Sequence, residues 1–178
     1  MIIGIGGVSN AGKTTLANRL KAALNPLRIL ILCQDDFARP EEEIPRINGH
    51  IDWEIPESID LAKYYRHLLK AKEDYDIVIA EGLFAFCDKH IYSQYDKKIF
   101  LTISKETFWK RKSNDLRWGK EPDWYMEHIW QSHFKCGMLQ EIDSNTLILS
   151  GEKTIDLPPL IQFLKIEKLF SKTSLNEI

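Results

Sequence analysis

The segment Gly7-Val8-Ser9-Asn10-Ala11-Gly12-Lys13-Thr14 matches the spacing GxxxxGK[ST], in which glycines let backbone N–H groups converge on phosphate oxygens. An apolar run precedes it and a helical pattern follows, so the positive end of a helix adds to the attraction for a triphosphate. Lys13 is expected to reach the transferred phosphoryl group. Thr14 is expected to offer its hydroxyl to Mg²⁺, which offsets the charge of the terminal phosphates. Such a loop names a ligand and leaves its fate open, since switches, motors and small-molecule kinases share it.

Three further groups could turn triphosphate binding into phosphoryl transfer. Asp35 and Asp36 follow the second apolar run. A kinase acting on an alcohol needs a carboxylate to orient the hydroxyl and take its proton, and Asp35 is the candidate, although carboxylates at strand ends also cap turns. Glu81 ends the run Ile77-Val78-Ile79-Ala80, where it could hold Mg²⁺ through water or support the acceptor. Lys110, Arg111, Lys112, Arg117 and Lys120 form a basic segment able to close over phosphates. Arg111 and Arg117 are favoured because guanidinium grips phosphate bidentately. The five histidines lack metal-site spacing and read as surface or core fillers.

The elements that must position these groups alternate. Strands are expected at 1–6, 29–33, 77–80, 98–103 and 146–149. Helices are expected at 13–24, at 58–71 with Ile59, Ala62, Tyr65, Leu68 and Leu69 on one face, at 104–113, 124–140 and 155–170. The prolines, Gly49 and carboxylates of 39–56 argue against regular structure, and so long a loop is expected to be functional. Strands that are apolar throughout, separated by helices, predict an α/β fold. It has three layers, a five-stranded parallel sheet with helices on both faces and ligands at the carboxyl ends of the strands.

The 178 residues, 44% apolar and 28% charged, suit one domain. We read it as 1–170, with a lid at about 111–122 and a frayed tail at 171–178. A net charge of −2 gives no bulk pull toward nucleic acid. Cys33, Cys87 and Cys136 stand far apart, as in a reduced cytoplasmic protein. No apolar run is long enough to span a bilayer, so neither nucleic acid nor membrane is an expected partner. A GTPase switch would need DxxG and NKxD elements, and neither is present.

From residue 2 to about 153 the sequence resembles the nicotinamide riboside kinase family, within the uridine kinase-like group of P-loop kinases. The similar segments are GVSNAGKTT ending at Thr15, Gln34 to Phe37 with Pro40-Glu41, Asn48-Gly49, the strand ending in Glu81-Gly82-Leu83, Phe100 to Ile103, and His128-Ile129-Trp130.

The resemblance implies an ATP-dependent and Mg²⁺-dependent kinase acting on a small-molecule nucleoside. Asp35 would take the proton of the ribose 5′-hydroxyl, and Thr14, Glu81 and Asp35 would lie at the metal. Asp36, Phe37, Trp53, Glu54 and Arg111 would contact the acceptor. Leu116 stands where the family has a second stacking tyrosine, with Arg117 and Trp118 beside it. Lys110 occupies the position of an ATP-contacting arginine, and Gly151, Glu152 and Lys153 that of the adenine-side loop. Nicotinamide riboside is the first expected acceptor and uridine or cytidine the second, because segment 51–60 also resembles the acidic loop of uridine kinases. Pantothenate ranks third, and a nucleotide-binding ATPase without an acceptor is the rival from another class.

Overall fold

A computed structural model describes residues 1–117 and 119–166. In chain order the elements are β1 (Ile2–Gly7), α1 (Lys13–Ala23), β2 (Ile29–Cys33), β3 (Arg46–Ile47), β4 (His50–Ile51), α2 (Leu61–Asp74) and β5 (Ile77–Glu81), then α3 (Lys89–Tyr92), β6 (Lys97–Thr102), α4 (Lys105–Ser113), α5 (Asp123–Cys136), β7 (Thr146–Ser150) and α6 (Leu157–Leu164). The main sheet has five strands in the order β2-β5-β1-β6-β7. Every pairing in it is parallel. The three-layer α/β expectation therefore holds.

Strand alternation sorts side chains into two cores. Ile3 and Ile5 of β1, with Ile77 and Ile79 of β5, pack with Leu16 and Leu20 of α1 and with Phe108, Ile129 and Leu160 of α4, α5 and α6. Ile2, Val78 and Ala80 point the other way, onto Tyr64 and Leu68 of α2 and the rings of Phe86 and Tyr95. Both faces of the sheet are thus covered, so its strands read as continuous apolar runs.

The structure corrects several expected boundaries. The segment 39–56 is not wholly irregular. Asn48 and Gly49, at φ 48° and 83°, turn β3 into β4, with Arg46 opposite Ile51 and Ile47 opposite His50. Asn-Gly is the residue pair that such a two-residue hairpin turn prefers. Helix α2 starts later than expected, because the Asp60 carboxylate caps it by accepting from Lys63 N. Its buried face is Tyr64, Leu68 and Ala71, and Leu69 is exposed. Helix α5 stops at Cys136, where Gly137 ends it, rather than at 140. Helix α6 stops at Leu164, beyond which Lys165 turns left-handed at φ 53°. The expected continuation to 170 and the tail at 171–178 fall outside the described residues, except for Lys165 and Ile166.

Candidate active site

The phosphate loop joins β1 to α1 at the carboxyl edge of the sheet. Gly7 sits at φ 142° and Gly12 at φ 98°, values that L side chains seldom adopt. A side chain at Gly7 would also collide with the backbone of Leu101. Asn10 takes a left-handed φ of 60° between them, so the loop curls tightly before the helix begins. Lys13 folds back into this curl, where its Nζ donates to the carbonyls of Gly7 and Val8 at 3.0 and 3.1 Å. Its burial lowers the ammonium pKa, while Glu81, Asp35 and Glu54 act to raise it. One lysine is therefore held among three carboxylates from three separate strand ends or loops.

Parallel pairing brings the ends of β1, β2 and β5 together. Ile5 and Cys33 both stand opposite Glu81. Glu81 is almost fully buried, and the Thr14 hydroxyl donates to its Oε1 at 2.7 Å. Burial, with Glu81 and Asp35 nearby, pushes the Cys33 thiol up to about 12, so it stays protonated. After β2 the chain turns through one short 3₁₀ helix, Gln34–Phe37. Gln34 points inward and accepts from Phe84 N at 2.9 Å, which fixes the turn beyond Glu81. Asp35 and Asp36 remain exposed. Phe37 corrects an expectation: rather than facing the acceptor, its ring enters the second core and meets Tyr64 edge-on at 5.2 Å.

The long loop delivers Asp52, Trp53 and Glu54 to the same side. Trp53 is 36% exposed, whereas Asp52 and Glu54 are buried. Burial is the main cause that pushes the Glu54 carboxyl up to about 7, with Lys112 acting most strongly against it. Lys112, expected in a basic segment that closes over phosphates, turns inward instead. It is buried at the end of α4, with Glu121 at 3.9 Å.

The remaining basic residues divide. Arg111 donates to the carbonyls of Asn10 at 3.1 Å, Gly151 at 2.8 Å and Glu152 at 3.2 Å, tying the phosphate loop to the turn after β7. None of these contacts is with Trp53 or Glu54. Gly151 fits tightly against the Ala11 carbonyl, and the Glu152 carboxylate accepts from the Thr107 hydroxyl. Arg117 forms a two-pronged pair with Asp115 at 2.8 and 2.6 Å, which holds the Asp115 carboxyl well below the usual carboxylate range. Lys110, Leu116 and Lys153 are exposed. Trp118 lies outside the described residues.

Several groups at the site were missed in the sequence. Asp52 Oδ1 accepts from Glu54 N at 3.1 Å and bonds His128 Nε2 at 2.8 Å. Tyr125 Oη accepts from Trp53 N at 3.2 Å and donates to the Ile51 carbonyl at 3.1 Å. His128 is thus no filler. His133 is one: it stacks on Phe100 at 5.8 Å, and burial lowers its imidazole to about 4. The pairs 52/128 and 53/125 are far apart in sequence, and although segments 51–60 and 128–130 each resemble known kinases, nothing in them links one to the other. A local hint was an aspartate two residues before Glu54, the spacing of an Asx turn.

A phosphate loop feeding a five-stranded parallel sheet, with carboxylates at neighbouring strand ends and a basic helix beside it, defines a P-loop kinase. Comparison with known proteins narrows this. The family model described as Phosphoribulokinase / Uridine kinase family matches residues 64–117. The chain is 30% identical over 171 residues to nicotinamide riboside kinase 1 of Homo sapiens, covering 86% of this chain and 85% of that protein. It is 29% identical over 177 residues to nicotinamide riboside kinase 2 of Homo sapiens, covering 86% and 75%. Among solved structures, a gluconokinase from Sinorhizobium meliloti 1021 shares the fold with a TM-score of 0.58 at 14% identity, covering 97% of this chain and 96% of that one. The chain belongs to the nicotinamide riboside kinase family. It is a phosphotransferase with a hydroxyl group as acceptor, and membership of a P-loop kinase family implies use of ATP. Among the described residues no helix is long and apolar enough to cross a membrane.

Proposed function

We propose that the protein transfers the terminal phosphoryl group of ATP to the ribose 5′-hydroxyl of nicotinamide riboside, forming nicotinamide mononucleotide. The observation that carries this reading is that Asp35 and Glu54 both act on Lys13, with the part-exposed Trp53 ring adjoining Glu54 in the chain. A pyridinium cation is favoured by an indole face and by nearby carboxylates, and nicotinamide riboside carries one. The relatives named above act, by name, on that nucleoside.

Phosphoryl transfer needs positioning and charge more than covalent assistance. Asp35 is exposed to the cleft and contributes to the field at Lys13 and at Arg117, which suits a base that accepts the hydroxyl proton. Lys13 would exchange its carbonyl partners for phosphate oxygens. Arg111 would stiffen the phosphate loop from behind, and Arg117 would leave Asp115 for the triphosphate. Thr14 and Glu81 fit Mg²⁺: both offer hard oxygen donors at one point, and Mg²⁺ with a nucleotide usually takes few protein ligands. When bound, the ion offsets charge on the terminal phosphates. The cytoplasm is the expected setting.

A panel of nicotinamide riboside, uridine, cytidine, pantothenate and no acceptor, assayed for ATP consumption, tests this reading. The highest kcat/KM is expected with nicotinamide riboside. Equal ATP turnover without acceptor would overturn the kinase assignment. Preference for uridine would favour the second reading, to which the match at 64–117 and the acidic segment 51–60 also lend support.

A further inference from the structure

The peptide units around Trp53 are held partly from outside their own loop. The N–H of Trp53 donates to the Tyr125 hydroxyl, which in turn donates to the Ile51 carbonyl. The N–H of Glu54 donates to Asp52 Oδ1, and the same oxygen bonds His128 Nε2 at 2.8 Å. Because a carboxylate only accepts, that imidazole nitrogen is the donor. The Trp53 carbonyl receives the Ser58 hydroxyl at 3.1 Å. Tyr125 and His128 are three apart on α5 and so share one helical face. Tyr125 and Asp52 are buried and His128 is half-buried, so these bonds compete little with water.

Loop residues ordinarily wander more than the elements they join. Here a helix packed on the first core, through Tyr125, Met126 and Ile129, holds the Trp53 N–H directly and the Glu54 N–H by way of Asp52, the two residues assigned to the acceptor being Trp53 and Glu54. Holding such groups in place before binding removes an ordering cost that would otherwise weaken affinity. We propose that Tyr125 and His128 are positioning residues for acceptor recognition, setting the Trp53 ring and the Glu54 carboxyl while taking no part in ATP binding. This rests on the reading that Trp53 and Glu54 meet the acceptor nucleoside.

Steady-state kinetics of Tyr125→Phe, His128→Leu and His128→Gln test it, each with ATP varied and then with the acceptor varied. The acceptor is whichever of nicotinamide riboside and uridine the unaltered protein turns over better, so an error in substrate identity is seen before the variants are read. Losing the two bonds of the Tyr125 hydroxyl, or the one from His128, predicts an acceptor KM raised roughly tenfold or more in Tyr125→Phe and roughly tenfold in His128→Leu. KM for ATP should stay within about twofold, with kcat little changed. Glutamine carries its amide nitrogen where histidine carries Nε2, so His128→Gln should recover most of the loss. An unchanged acceptor KM in Tyr125→Phe would overturn the proposal, as would parallel rises in both KM values. Tyr125→Phe removes one oxygen only, and it decides the matter alone if His128→Leu is too unstable to assay.

Discussion

Replacing Glu54 by glutamine should convert a buried carboxyl into a measurable change in pH-dependent stability. Burial raises this group from 4.5 to about 7 against the pull of Lys112 and Lys13. An acid with a raised pKa keeps its proton in the folded protein over an interval where the unfolded chain has released it. Folding is then linked to proton uptake, and stability falls as pH rises from 4.5 to 7. Below that window the carboxyl is neutral in both states and contributes nothing. Above it the penalty is complete, and at 1.36 kcal/mol per pKa unit it amounts to about 3 kcal/mol. Glutamine has nearly the same shape and no charge, so the variant should lack this slope. Melting curves at pH 4.5 should coincide. At pH 8 the variant should melt higher by roughly 6 to 12 °C, taking 2 to 4 °C per kcal/mol for a domain of this size. Parallel melting curves for the two proteins across pH 4.5 to 8 would refute the burial argument. Loss of stability in the variant at pH 8 would mean instead that the Lys112 attraction outweighs desolvation.

Asp35→Asn should lower kcat by roughly 10²-fold or more if the carboxylate takes the hydroxyl proton, with little change in melting temperature because the residue is exposed; near-normal turnover would move that role to another group. Arg111→Ala removes three bonds to carbonyls, those of Asn10, Gly151 and Glu152, and should raise KM for ATP about tenfold while leaving the acceptor KM within twofold; titration of both substrates checks the split. Thr14→Val removes the donor to buried Glu81 and should destabilise by about 1 to 3 kcal/mol, while raising the Mg²⁺ concentration needed for half-maximal rate; an unaltered Mg²⁺ dependence would sink the oxygen-donor assignment.

What was legible in the sequence divides by the distance over which information is carried. The loop from Gly7 to Thr14 could be read because its residues are contiguous and each has one physical task, and the parallel sheet because strands buried on both faces need no polar alternation. Glu81 could be suspected, since parallel strands end together and a carboxylate at the end of one must meet the ends of the others. Phe37 and Lys112 were misread for a common reason: local pattern assigns a ring near a site to the ligand and a basic residue near a lid to phosphate, whereas packing against Tyr64 and burial beside Glu121 decide otherwise. The Asp52–His128 pair joins residues 76 positions apart, and neither carries a spacing rule. Its existence follows only once α5 is docked on the sheet beneath the acceptor loop. The same docking orders the site by role. Groups on the phosphate side are set by a local motif and can be found in a single sequence. On the proposal made above, acceptor recognition depends on a helix that must first pack, so two chains with the same phosphate loop could differ in substrate through residues that never touch it.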